Sequence, residues 1–239
     1  MFLLKLLKSF SFFQNIASSL IASISPVIEH NVGKYTAIKK AFYLTALENL
    51  DGDYLEFGVF TGSAMVFSTK INRKMRWINE SATRFFGFDS FEGFGNVDSE
   101  EKHPFYRDDI FGVNFNKVKK NILKQTKGSE VQLIKGFFSE TLDGKTPAEY
   151  GIKKARIIFI DCDLKSPALS ALNFCADLIQ EGTILIMDDY FSYKGNAELG
   201  LSGAFAEFCK LNPHLSWRNL YHYGYLGEAY ICSGISKKP

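Results

Sequence analysis

The chain lacks a surplus of charge of either sign: 28 lysines and arginines are nearly matched by 26 aspartates and glutamates. That balance excludes the polybasic field through which proteins attract nucleic acid. Histidine and cysteine are scarce, four of each. None falls in a C-x-x-C, H-x-x-x-H or H-E-x-x-H pattern, which excludes the usual zinc sites. Cys162, Cys175, Cys209 and Cys232 sit inside apolar segments and read as buried free thiols of a reducing, cytoplasmic compartment. Internal repeats and low-complexity stretches are also missing.

A comfortable transmembrane span is missing too. The nearest approach is residues 1–25, where Phe2, Leu3, Leu6, Phe10, Phe13, Ala17, Leu20 and Ile21 share one face of a helical wheel. Lys5, Lys8, Asn15 and Ser19 lie opposite, while Phe12 and Ile16 break the pattern. Three readings stand open. The helix docks on its own domain or on a twin subunit in a homodimer; it lies in a membrane interface as a peripheral contact; or it is a signal peptide, against which count Lys5, Lys8 and the want of an A-x-A site.

What is present suits one α/β domain with extra segments, and 239 residues can bury a full core. Residues 1–25 form an amphipathic segment closed by Pro26, residues 26–50 a helical lead-in, and residues 51–239 the main domain. Within the lead-in, the spacing of Ile38, Ala41, Phe42 and Ala46 predicts a helix from Lys34 to Leu50. The main domain is organised around two continuous apolar runs that stop at acids. Arg156 to Ile160 ends in Asp161-Cys162-Asp163, and Thr183 to Met187 ends in Asp188-Asp189. A helical pattern from Pro167 to Gln180 separates them, so the unit is a right-handed crossover between parallel strands covered on both faces. Both acidic clusters then fall at the carboxyl edge of the sheet, where open α/β folds bind ligands. Carboxylates converging there repel one another unless a cation sits among them.

Earlier strands carry the same signature. Tyr54 to Phe57 contains Glu56 and runs into Gly58-Val59-Phe60-Thr61-Gly62-Ser63, a turn whose glycines permit close approach of a ligand to backbone and helix N-terminus. Arg84 to Phe88 ends at Asp89, which reads either as an acceptor for ribose hydroxyls or as a turn-forming aspartate. Ser90 to Gly112 is a long loop too aromatic for disorder and reads as a lid. An amphipathic helix with a solvated basic face (Val113 to Lys127), a third strand (Val131 to Gly136), a helix from Leu199 to Leu211 and a closing antiparallel pair complete the chain.

Five motifs in order carry a resemblance: Leu55 to Ser63, Gly87 to Gly93, Lys135 to Leu142, Ile160 to Leu164 and Asp188-Asp189-Tyr190. Together, over about residues 34 to 232, they resemble the macrocin O-methyltransferase family. The resemblance implies a Rossmann-like class I S-adenosylmethionine-dependent methyltransferase: a mostly parallel seven-stranded sheet with an antiparallel last strand and helices on both faces. It implies S-adenosylmethionine and a divalent cation, usually Mg2+, as cofactors, and a hydroxyl acceptor, such as a sugar of a natural product or glycan. Glu56, Gly58, Val59, Phe60, Thr61, Gly62 and Ser63 would cradle the methionine part, Asp89 and Ser90 the ribose, and Gly136 and Phe137 the adenine, with Asp161 beside the cofactor. Asp161, Asp188 and Asp189 would hold the metal. Oxygen-only ligands suit a hard cation, and a cation bound by sugar hydroxyls would ease loss of a proton. Asp189 leads as the base, with Asp163 and Lys165 as the other candidates. Lys165-Ser166 departs from the Tyr-Ser common in the family, and Lys165 reads more readily as neutralising the acids.

Rival readings come from other classes. Asp161-Cys162-Asp163 matches the D-x-D motif of metal-dependent glycosyltransferases, but that leaves Glu56 to Ser63 and Asp188-Asp189 unexplained. A non-catalytic cofactor-binding subunit sits badly with acids at every expected strand end. Gly58 to Gly62 lacks the G-x-G-x-x-G spacing of a nicotinamide-dependent dehydrogenase.

Overall fold

In the computed structural model, the apolar runs that stop at acids become neighbouring parallel strands. The structure describes residues 2–106 and 108–237, with side chains for all of these except 2–9, 108 and 109. Seven strands form one sheet: β1 (Asp53–Phe57), β2 (Phe85–Asp89), β3 (Val131–Lys135), β4 (Ala155–Ile160), β5 (Ile184–Met187), β6 (Leu215–Tyr223) and β7 (Gly227–Ile235). Their order is β3-β2-β1-β4-β5-β7-β6, and β7 alone runs antiparallel.

Continuous apolar runs succeed here because both faces of the central strands are covered. Alternate residues feed two cores. Leu55, Phe57, Phe88, Ile158, Ile160 and Leu185 pack with α6 (Phe138–Thr141), α7 (Lys165–Cys175) and α8 (Gly200–Leu211). Tyr54, Phe85, Ile157, Phe159 and Ile186 pack with α2 (Pro26–Leu47), α3 (Ser63–Met75) and α5 (Phe115–Gln125).

The lead-in helix starts earlier than the expected Lys34. Pro26 opens α2, where its fixed φ and missing N–H cost nothing at the first helical position. The helix therefore begins eight residues before Lys34 and projects beyond the sheet. Its inner half is fastened by Arg156, a fully buried guanidinium on β4. That group donates to Thr45 Oγ1 (2.7 Å), the Phe42 carbonyl (3.2 Å) and Thr83 Oγ1 (3.1 Å).

Preceding it is α1 (Phe2–Ala22); from Phe10 to Glu29 every described side chain is exposed. The Phe2, Leu3 and Leu6 part of the expected apolar face lies outside the described side chains. No single helix among the described residues is long and apolar enough to cross a membrane, and Phe10–Ala22 meets α2 at 85°.

Candidate active site at the carboxyl edge of the sheet

Strand register builds the site. Phe57 pairs with Phe88 on one side and with Ile160 on the other, and Ile160 pairs with Met187. The next residue of each strand therefore falls into one row along the edge: Asp89, Gly58, Asp161, Asp188. Backbone hydrogen bonds continue the pairing one step, from Gly58 N–H to the Phe88 carbonyl, Asp161 N–H to Phe57 and Asp188 N–H to Ile160. The crossovers reverse direction between β1 and β4, so the row straddles the switch point where such sheets open a crevice.

A cleft of about 110 Å³ opens beside Asp89, Gly58 and Asp161 of this row. Of the residues expected to bind a cofactor, Gly58, Phe60, Asp89, Ser90, Phe137 and Asp161 line it, joined by Asp163. Gly58 has a positive φ of 93°, and a Cβ there would lie 1.9 Å from the Asp161 carbonyl oxygen, so only glycine fits. Val59 is buried behind the turn, Gly62 packs on Ile122, and Thr61 and Ser63 are exposed at the start of α3. Gly136 leads from β3 into Phe137.

Asp89 has both of the expected roles within reach. Its Oδ2 accepts the N–H groups of Val59 (2.6 Å) and Phe60 (2.8 Å), and its Oδ1 accepts that of Phe91 (2.5 Å). It thus knits the glycine turn to the loop while facing the cleft. Glu56 lies beneath, fully buried; Tyr54 Oη donates to its Oε2 at 2.7 Å, and Oε1 has no partner. Burial pushes its carboxyl up to about 8.

Beyond Gly58 the acids divide into two groups. Ligand oxygens of Asp161, Asp163 and Asp189 lie within 4.8 Å of one another. Asp163 adopts a left-handed φ of 64°, uncommon for a residue with a Cβ, which turns its buried carboxyl toward Asp189. Burial together with the charge of Asp189 holds the Asp163 carboxyl well above its ordinary range. Burial and the neighbouring Asp188 charge raise Asp161 to about 7.

Asp188 is different. Its Oδ2 receives Lys34 Nζ (2.5 Å) and His30 Nε2 (3.2 Å), and its Oδ1 receives Tyr223 Oη (3.0 Å). Burial would raise its pKa, but Lys34 and His30 outweigh it and hold the carboxyl down at about 2. Lys34 also reaches Asp161 Oδ2 at 2.9 Å. Lys165, by contrast, turns to α8 and pairs with Glu207 at 3.1 Å.

His30, Lys34 and Tyr223 were not legible as site residues. The available signal was the one-turn spacing of His30 and Lys34, which puts both on one face of α2.

The loop from Ser90 to Gly112 lies over the cleft. An antiparallel bridge between Glu92 and Gly112 closes its base, and Phe94 and Phe111 line the pocket with Phe60. It contains the short helix α4 (Asp108–Phe111). Tyr106 Oη and Ser192 Oγ are 2.5 Å apart, and Tyr193 Oη donates to the Glu101 carbonyl at 2.7 Å. Aromatic burial therefore orders a segment whose sequence has no periodicity.

The chain is similar to known proteins. The sequence profile described as Macrocin-O-methyltransferase (TylF) matches residues 33–209. Among solved structures, the O-methyltransferase NovP is 18% identical with a TM-score of 0.67, over 84% of this chain and 80% of its own. The calicheamicin methyltransferase CalS11 is 20% identical with a TM-score of 0.67, over 90% of this chain and 85% of its own. An O-methyltransferase from Bacillus cereus, solved in complex with SAH, is 16% identical with a TM-score of 0.52, over 92% and 88%. At such identities the likeness shows the fold, which is that of the class I methyltransferases. No curated protein sequence matches the chain.

Proposed function

The chain belongs to the macrocin O-methyltransferase family, and from that premise we propose that it uses S-adenosylmethionine to methylate a sugar hydroxyl. The observation that carries this reading is the row Asp89, Gly58, Asp161, with Gly58 pressed so closely on Asp161 that backbone alone can line the cleft there.

The residues present fit the cofactor. Asp89 keeps acceptor capacity for ribose hydroxyls beside its three N–H donors, since a carboxylate offers about four lone-pair sites. Gly58 and Phe60 would border the methionine part, and Ser90 and Phe137 the nucleoside. Bound there, S-adenosylmethionine supplies an activated methyl group. The chain's own task is then alignment of the acceptor oxygen and removal of its proton.

A divalent cation also fits, because the donor set at the edge is carboxylate oxygen without nitrogen or sulfur. Asp161 and Asp189 would be among its ligands. When bound, a cation of this kind lowers the pKa of a coordinated hydroxyl and fixes its orientation. We assign Asp189 as the proton acceptor, with the Asp163 carboxyl beside it. Lys165 is occupied by Glu207 and has no part in this assignment.

The exposed apolar surface of α1, including Phe10, Phe13, Leu20 and Ile21, supports a peripheral membrane contact, and with it a lipid-linked or polysaccharide acceptor.

Calorimetric titration with S-adenosylmethionine, with and without Mg2+, tests the central reading without any need to guess the acceptor. Saturable binding supports it. Selective binding of a nucleotide sugar in its place would overturn it in favour of glycosyl transfer.

A further inference from the structure

Away from the cleft, positive charge gathers on one side of the molecule. Residues 61–79 and 112–129 hold nine lysines and arginines and not one aspartate or glutamate, in a chain whose total is only +2. These stretches contain α3 and α5, which lie side by side. Lys70 Nζ donates to Gln125 Oε1 at 3.4 Å, and Arg73 Nη1 donates to the Lys127 carbonyl at 3.1 Å. All nine side chains are exposed, and none forms an ion pair among the described residues.

Local stability does not account for this arrangement. Lys117, Lys120 and Lys124 follow one another at three- and four-residue steps, so like charges stack along one face of α5 and repel. Lys117 also lies in the first turn, the end of a helix that disfavours a cation. Neither helix contains an acid to offset the repulsion.

The layout suits a linear polyanion. Successive lysines of the row stand one helical turn apart, about 5 Å along the axis, a step comparable with one ring of an extended glycan. Trp77, 81% exposed, follows Arg73 by one turn beyond the end of α3, and an open indole can stack on the apolar face of a sugar. Lipid headgroups would call for more apolar surface than Trp77 and the half-exposed Leu123 provide. Both helices begin at the cleft. The first follows the glycine turn, and the second follows the Glu92 to Gly112 bridge at the base of the covering loop. The Lys117 end of the row is therefore the end nearest the cleft.

We propose that the joint face of α3 and α5 is a docking track for an acidic polysaccharide, which presents one of its sugars to the cleft. This inference rests on the methyltransferase reading given above and narrows its acceptor class. The field of the patch draws the polymer in, and the lysine row holds its carboxylates turn by turn.

The test is titration of the full chain with fluorescently labelled oligogalacturonate, a linear uronic-acid polymer long enough to span α5, read by anisotropy. S-adenosylmethionine binding is measured alongside by calorimetry. Saturable glycan binding that weakens as salt rises is expected, with none to uncharged dextran. Lys117→Gln, Lys120→Gln and Lys124→Gln together should weaken it about tenfold. Lys39→Gln, Lys153→Gln and Lys210→Gln together remove equal charge elsewhere on the surface and should change it less than about twofold. Trp77→Ala should weaken it about threefold. None of these exposed side chains lines the cleft, so every variant should bind S-adenosylmethionine as the unaltered chain does. Equal weakening in the two triple variants would show an effect of net charge and overturn the proposal. So would tighter binding of a single-stranded oligonucleotide, or of phosphatidylserine vesicles, than of the glycan. S-adenosylmethionine binding without glycan binding would overturn the track and leave the methyltransferase reading standing. Glycan binding without S-adenosylmethionine binding would uphold the track and overturn methyl transfer.

Discussion

Glu101 and Ser166 are joined twice: Glu101 Oε1 accepts the Ser166 N–H at 2.7 Å, and Oε2 accepts its hydroxyl at 3.0 Å. The glutamate belongs to the loop over the cleft, and the serine to the first turn of α7, where free N–H groups favour a carboxylate. One side chain thus ties the covering loop to the element that follows the Asp161 to Asp163 cluster.

Glu101→Ala should release that tie. A charge-assisted pair of this kind contributes about 1.5–3 kcal/mol, enough to open the loop locally without unfolding the sheet. The expected outcome is proteolysis within residues 90–112 at least about fivefold faster, with an unchanged melting temperature. Equal cleavage rates would show that the aromatic contacts alone hold the loop.

Gly58→Ala should abolish cofactor binding and destabilise the fold. The new Cβ would meet the Asp161 carbonyl at 1.9 Å, on a backbone with φ of 93°. Strain and a backbone clash together place the loss above about 3 kcal/mol. Chemical denaturation and calorimetry with S-adenosylmethionine measure the two effects, and a variant that binds normally would refute the close packing of β1 on β4.

Stability should fall as pH rises across the Glu56 carboxyl. Burial raises it from an ordinary 4.5 to about 8. Between those values the folded protein holds a proton that the unfolded chain has released, so raising pH favours unfolding. The slope from one proton is at most about 1.4 kcal/mol per pH unit. Glu56→Gln is neutral throughout and should flatten the decline in urea midpoints between pH 5 and pH 8, measured without cofactor. A slope that survives the substitution would assign the titration to another group.

Deleting residues 1–25 should abolish binding to anionic vesicles while leaving S-adenosylmethionine affinity within about twofold. Among the described side chains of α1, Phe10, Phe13, Leu20 and Ile21 are exposed apolar groups and none lines the cleft. Vesicle co-sedimentation separates the outcomes. Unchanged sedimentation would reject the membrane contact, and a shift from dimer to monomer on truncation would assign α1 to a twin subunit.

The sequence by itself determined the sheet and its row of acids. Ile157 to Ile160 and Ile184 to Met187 are unbroken apolar runs, which only strands covered on both faces can bury, and each stops at an aspartate where the chain leaves the core. Parallel pairing then obliges Asp89, Asp161 and Asp188 to share one edge. Helix boundaries were less legible: the apolar spacing of Ile38, Ala41, Phe42 and Ala46 points to a start at Lys34, whereas α2 opens at Pro26.

What only the tertiary structure decided is which cation each acid faces. His30 and Lys34 read locally as polar residues on one face of a helix, and solvent would satisfy them equally well there. Docking of α2 brings Lys34 to Asp161 across 127 residues of sequence, and the left-handed turn at Asp163 aims a carboxyl that spacing alone leaves unaimed. Charge pairing at such distances depends on how helices pack on a sheet, and no periodicity in the chain records it.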